Sequence, residues 1–239
     1  LFGAILSLLT GNPSIPVYGV NPLPENNFRA AMGNKYKEAF LYLLSNTWMA
    51  DTLVAYHVDP NFAYAVVFPE LVRYSWIRDK MEMAGLFSLY IQYGDKYANF
   101  SVGRFQMKPS FVFQIEKDAI ESGILKISTK EGFGVAFDKE SRYCRVKRLD
   151  SDVWQVRYLV IFIKVLDRIY ASKRWNNVDE KLKFYATAYN YGYRQSEGSI
   201  KKQIKNKSFY TSFLSGGPRY CYADISSEMY QLLIRSINR

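Results

Sequence analysis

The residues whose types and spacing suit chemistry lie in three segments, FPELVRYS at 68–75, NFSVGRFQMKPSF at 99–111 and FYATAYNYGY at 184–193. The first sets one carboxylate, Glu70, directly after a proline. The second is a glycine loop that ends in an amide and a thioether, Gln106 and Met107. The third is an aromatic and amide-rich helix end with Tyr189 and Asn190. A carboxylic acid that protonates a leaving oxygen is what cleavage of a glycosidic bond requires, and amide and phenol groups suit the holding of sugar hydroxyl and acetamido groups. Each residue also has a plainer reading. Glu70 suits a helix start, where free amide donors favour a carboxylate; Gln106 suits the bracing of a loop; Tyr189 and Asn190 suit packing and capping at a helix end.

Other chemistries find less support. His57 is the only histidine, so a multi-histidine metal centre is excluded and a nucleophilic triad would rest on one residue in an ordinary helical pattern. Cys144 and Cys221 are too few and too far apart for a zinc site or a redox pair. They are read either as one disulfide or as two buried thiols. No metal and no cofactor is expected. The excess of 32 Lys and Arg over 22 Asp and Glu gives a net charge of +10, which favours an anionic partner: nucleic acid, an acidic membrane surface or an anionic cell wall. No nucleic-acid partner is expected, because the chain carries no zinc-ligand, basic-zipper or RNP-like pattern, and its basic residues cluster only at Lys201, Lys202, Lys205 and Lys207. A solvated basic face explains that cluster equally well. The 20 tyrosines suit stacking on sugars, cores and interfaces alike.

The elements that must position these groups read as helices. The opening run LFGAILSLLT is too short to span a bilayer, and the most apolar later stretch, YLVIFIKVL, contains Lys164, so a soluble protein is expected once processed. Pro13, Pro16, Pro22 and Pro24 make residues 1–29 an extended arm. Residues 30–239 read as a single helical domain. One long helix, or two joined near Ser45 and Asn46, covers 27–56. A second helical region starts at Asn61 and runs to Gly94 with Pro69 inside it, which places Glu70 at a kink or in the first turn of a new helix. A loop spans 94–103, and a helix begun by Pro109 reaches about Ser122. Helices are expected again at 151–172, 178–190 and 224–238, with Gly216, Gly217 and Pro218 as the break before the last. Between them, ILKIST and GVAFDK suggest that 123–149 is an irregular or β-hairpin insertion.

The three motifs, taken in order, resemble those of the lytic transglycosylases and goose-type lysozymes. In that family a catalytic glutamate precedes a Gly-Leu-Met-Gln segment and, later, Ala-Tyr-Asn-Ala-Gly. Here Glu70 matches the glutamate, Gly103 to Gln106 reads GRFQ, and Ala188 to Gly192 reads AYNYG. The resemblance covers about 58–193 and implies a mostly α, lysozyme-like fold of the transglycosylase type, with peptidoglycan glycan strands as the partner. It further implies an exported protein, periplasmic, secreted or peripherally associated with the envelope. Glu70 would be the catalytic residue. Gly103, Phe105 and Gln106 would line the cleft, Tyr189 would approach the acid through its hydroxyl, and Asn190 would brace the site. Asp95 matches an acidic position that would hold water in a hydrolase, and it reads equally as a turn aspartate. Leu71 stands where the family has serine, and Arg104 and Phe105 stand where leucine and methionine are usual. These departures leave room for a divergent substrate or for a non-catalytic envelope-binding module. Oligomeric state has no signal in the sequence.

Overall fold

A computed structural model describes residues 27–74, 80–126, 138–210 and 218–237. Eleven helices occur among them: α1 (Asn27–Met32), α2 (Asn34–Ser45), α3 (Thr47–Ala55), α4 (Pro60–Tyr74), α5 (Lys80–Tyr93), α6 (Pro109–Glu121), α7 (Lys139–Leu149), α8 (Asp152–Ile169), α9 (Val178–Tyr191), α10 (Glu197–Gln203) and α11 (Tyr222–Ile237).

Local chemistry sets most of the boundaries. At the joint between α2 and α3, Asn46 turns its side chain onto the backbone, with Nδ2 donating to the Tyr42 carbonyl at 2.8 Å and Oδ1 accepting from Trp48 Nε1 at 3.2 Å. Such local bonding competes with helix continuation. α3 stops in a Schellman turn. His57 has φ 56, its N–H donates to the Val54 carbonyl, and the Val58 N–H reaches back to the Leu53 carbonyl. His57 is therefore an exposed helix-terminating residue. α4 restarts immediately, with Asp59 Oδ1 accepting the Asn61 N–H at 2.9 Å. α9 begins on Asn177, whose side chain accepts the Glu180 N–H, while the Glu180 carboxylate takes the Asn176 N–H.

α4 is the central strut. Every residue from Phe62 to Val72 is buried, the pattern of a helix surrounded by protein on all sides. α11 and α9 pack against it most extensively, and α2, α3 and α8 close the remainder. α8 is the second apolar axis, buried from Tyr158 through Ile163. One hydrophobic cluster runs from Phe28 on α1 to Leu233 on α11, and a small satellite of Tyr90, Ala98 and Val146 joins α5 to α7. Buried inside this second region is a charged knot. The Glu116 carboxylate accepts from Arg145, from Arg148 at 2.7 Å and from the Tyr158 hydroxyl at 2.5 Å.

The mostly helical expectation agrees with these elements, and the β-hairpin insertion is corrected. No strand occurs among the described residues, only two isolated antiparallel bridges, Val102 with Met107 and Phe209 with Tyr220. The second half of the expected insertion is α7, capped by Asp138 accepting the Ser141 N–H at 2.7 Å. Its sequence KESRYCRVKRL has no strand-like alternation, and its two buried arginines are held by Glu116. Residues 127–137, which include most of GVAFDK, lie outside the described residues, as does nearly all of the expected N-terminal arm. The two cysteines are free thiols, Cys144 half-buried and Cys221 buried, with the Cys221 thiol donating to the Ile204 carbonyl at 2.9 Å. Among the described residues, no helix is long and apolar enough to cross a membrane.

Candidate active site

Pro69 lies inside α4, not at the start of a new helix. It cannot donate to the carbonyl one turn back, and the next residue, Glu70, points into a cleft at only 3% exposure. One turn further along, Arg73 places Nη2 2.6 Å from Glu70 Oε2. The contact is a close ion pair whose geometry is not that of an aligned hydrogen bond, since neither Glu70 Oε2 nor Arg73 Nε has a hydrogen-bond partner. Glu70 Oε1 receives a long contact, 3.4 Å, from Asn190 Nδ2 at the end of α9.

The segment from Val102 to Met107 forms the opposite wall. The two end residues exchange backbone hydrogen bonds at 2.9 and 3.2 Å, and the loop turns through two left-handed residues, Gly103 at φ 67 and Gln106 at φ 52. Such a conformation costs a non-glycine residue roughly 1–2 kcal/mol. The Gln106 amide offsets part of this by donating to the Gly103 carbonyl at 2.8 Å. Behind the loop, the buried side chain of Gln155 on α8 acts as a clamp. Its Oε1 accepts the Phe105 N–H at 2.7 Å, while Nε2 donates to the Val102 and Leu149 carbonyls at 2.9 and 2.6 Å. Glycine at 103 is what admits this clamp, because a Cβ there would sit 1.5 Å from Gln155 Nε2.

The third motif locks onto the second. Tyr189 Oη donates to the Phe105 carbonyl at 2.7 Å, and its ring is wedged edge-on between Phe111 and Phe162. Tyr222, at the start of α11, donates to the Val66 carbonyl at 3.1 Å. Burial, and then the neighbouring Glu70, push both hydroxyls well above the ordinary phenol range, so they remain donors.

The resulting cleft has a volume of about 360 Å³ and is lined by Glu70, Arg73, Gln106, Lys108, Tyr189 and Asn190 among others. Glu70 is the only carboxylate on its lining among the described residues. Burial raises the Glu70 carboxyl above its ordinary value. Arg73, then the Asn190 amide and Lys108, work in the opposite direction without cancelling the effect. Chemically this is one carboxyl group biased toward holding its proton, surrounded by amide, phenol and cationic groups.

Four of the residues singled out from the sequence therefore meet in one place: Glu70, Gln106, Tyr189 and Asn190. Gln106 both lines the cleft and braces its own loop. Gly103 shapes the wall and does not line the cleft. Phe105 was expected on the cleft surface, yet its side chain is 1% exposed and in the core, and its contribution is made by its backbone N–H and carbonyl. Asp95 is not on the cleft lining; it acts electrostatically on Tyr90, beside Arg145. Arg104 also leaves the cleft, stacking over Tyr42 at 4.1 Å and pairing with Asp152 at 3.4 Å.

The sequence reading missed Arg73, Lys108, Gln155 and Tyr222. Arg73 had a usable signal in its spacing of three from Glu70 on one helix. Gln155, a lone amide in an otherwise apolar face, had another. A larger and more open hollow of about 500 Å³ beside α6 and α8 contains none of Glu70, Gln106, Tyr189 and Asn190, and its Asp118 is already engaged by Tyr193 at 2.5 Å. Comparison with protein-family models, with curated proteins and with solved structures finds no match to this chain.

Proposed function

We propose that this chain is a peptidoglycan lytic transglycosylase that cleaves the β-1,4 bond between N-acetylmuramic acid and N-acetylglucosamine. The observation that carries this reading is a buried carboxyl, Glu70, the only one on the cleft lining among the described residues, raised by burial and opening onto a cleft shared with Gln106, Tyr189 and Asn190. In the proposed cycle the neutral Glu70 gives its proton to the glycosidic oxygen as the bond to the anomeric carbon breaks. The resulting carboxylate then takes the proton of the muramyl C6 hydroxyl as that oxygen bonds the same carbon, leaving a 1,6-anhydro end. An internal hydroxyl acts at very high effective concentration, so no water-positioning carboxylate is needed. The position of Asp95 away from the cleft favours this route over the hydrolytic one. A net charge of +10 suits an anionic wall, and such a substrate implies an exported protein.

The 2.6 Å contact between Arg73 and Glu70 favours a second reading, a non-catalytic envelope-binding module, because an ion-paired carboxylate is a poor proton donor. Mass spectrometry of muropeptides released in ¹⁸O-labelled water separates the alternatives. Unlabelled anhydromuramyl ends are expected; labelled reducing ends would indicate hydrolysis, and no release from several wall types would indicate the binding module.

A further inference from the structure

The cleft holds more positive charge than Glu70 balances. Arg73 uses Nη2 on Glu70, but its buried Nε has no acceptor. Lys108 extends exposed on the same lining and forms no ion pair among the described residues. A buried guanidinium N–H without an acceptor is destabilising, and a site that keeps one beside an unpaired ammonium is suited to an anion. Planar guanidinium groups match carboxylates in particular. We propose that Arg73 and Lys108 bind a carboxylate carried by the glycan ligand, and that this anion draws Arg73 off Glu70, so that Glu70 takes up a proton from solvent when the ligand binds.

The charge balance follows from the neighbours of Glu70. On its own helix stands Arg73. Lys108 leads into α6, Tyr189 comes from α9 and Tyr222 from α11. Asn190, also from α9, adds the long amide contact to Oε1. Both phenols stay neutral, so the two cations, together with the Asn190 amide, are the groups that favour the ionised carboxylate. Burial favours the neutral acid, and engagement of both cations by a ligand anion leaves it opposed chiefly by the long Asn190 contact. Without ligand, Arg73 draws Glu70 toward the ionised form; with it, the same residue becomes a specificity determinant. Acid competence is thereby tied to occupancy by an acidic glycan. The inference rests on the proposed function only for the identity of the sugar.

Isothermal titration calorimetry on the full chain tests this. The probes are a tetrasaccharide of alternating N-acetylglucosamine and N-acetylmuramic acid with free lactyl carboxylates, and the neutral tetramer of N-acetylglucosamine. Each is titrated in two buffers of different ionisation enthalpy. The acidic probe is expected to bind about tenfold or more tightly than the neutral one, the effect of about 1.4 kcal/mol, with a buffer-dependent enthalpy that reports proton uptake. Arg73→Met and the exposed Lys108→Met should each remove most of that preference. Glu70→Gln should retain the preference and abolish the uptake. Equal affinity for the two probes, or an enthalpy independent of buffer, would overturn the proposal. Selective binding with proton uptake but no cleavage product in the same samples would remove the transglycosylase reading and leave this one standing.

Discussion

Gln155 Oε1 accepts the Phe105 backbone N–H at 2.7 Å, although fifty positions separate the two residues in sequence. This bond, with the two that Gln155 Nε2 donates, fixes the cleft wall to α8. Gln155→Ala should remove the partner of the buried Phe105 N–H and the side-chain donor to the Leu149 carbonyl, while the Val102 carbonyl keeps the Met107 N–H, at a cost on the order of 1–3 kcal/mol for each group left unsatisfied. Gly103→Ala combines a left-handed backbone with a Cβ placed on Gln155 and should cost more than about 1 kcal/mol. Urea unfolding measures both. Either variant remaining within a few tenths of a kcal/mol of wild type would mean that the loop is not clamped.

Glu116 pairs with both Arg145 and Arg148 where all three are buried. Glu116→Ala leaves two guanidinium groups facing a cavity without their counter-charge, and breaking a buried pair in this way costs about 3–5 kcal/mol. A fall in the urea midpoint without a change in slope is expected. Because the knot lies outside the cleft, affinity for a glycan probe at a temperature where the variant remains folded should be unchanged.

The activity predictions divide the two carboxylates singled out in the sequence. Glu70→Gln should reduce release of anhydromuropeptides by about 10²–10⁴-fold, the usual contribution of a general acid, because an amide has no carboxylic proton to give. Asp95→Asn should leave release within a few-fold of wild type, since Asp95 does not line the cleft. A collapse of activity in Asp95→Asn alone would revive the hydrolase.

The sequence was most legible where one residue decides its own surroundings. Pro109 at a helix start and the glycine loop at Gly103 followed from backbone chemistry, the joint at Asn46 was one of two readings of 27–56, and the grouping of Glu70 with Gln106, Tyr189 and Asn190 followed from ordered motifs. It was least legible where a partner distant in sequence decides. α7 looked like an insertion because its arginines are compatible with a core only once Glu116 is placed against them. Phe105 looked like a cleft residue because nothing local shows that its ring turns inward while its backbone is shared between Gln155 and Tyr189. The fate of Pro69 was likewise tertiary. Packing by α9 and α11 supports α4 through the missing donor, so the helix continues and carries Glu70 inward.

The raised Glu70 carboxyl makes the final prediction one of pH-dependent stability. Below the unfolded-state value, about 4.3 for glutamate, the group is neutral in both states and its burial is not penalised by charge. As pH rises through that value, the unfolded chain releases the proton while the folded chain retains it, so wild-type stability falls until the folded-state value is passed, and the loss is then constant. Each unit of upward shift corresponds to about 1.4 kcal/mol. Glu70→Gln has no such proton to lose. Its stability relative to wild type should therefore increase as pH rises from about 4.3 toward neutrality and should level off beyond the folded-state value. Chemical denaturation of the two proteins at matched pH values measures the difference directly. A relative stability that decreases over that window would show that the contact with Arg73 outweighs burial and that Glu70 is ionised in the resting protein.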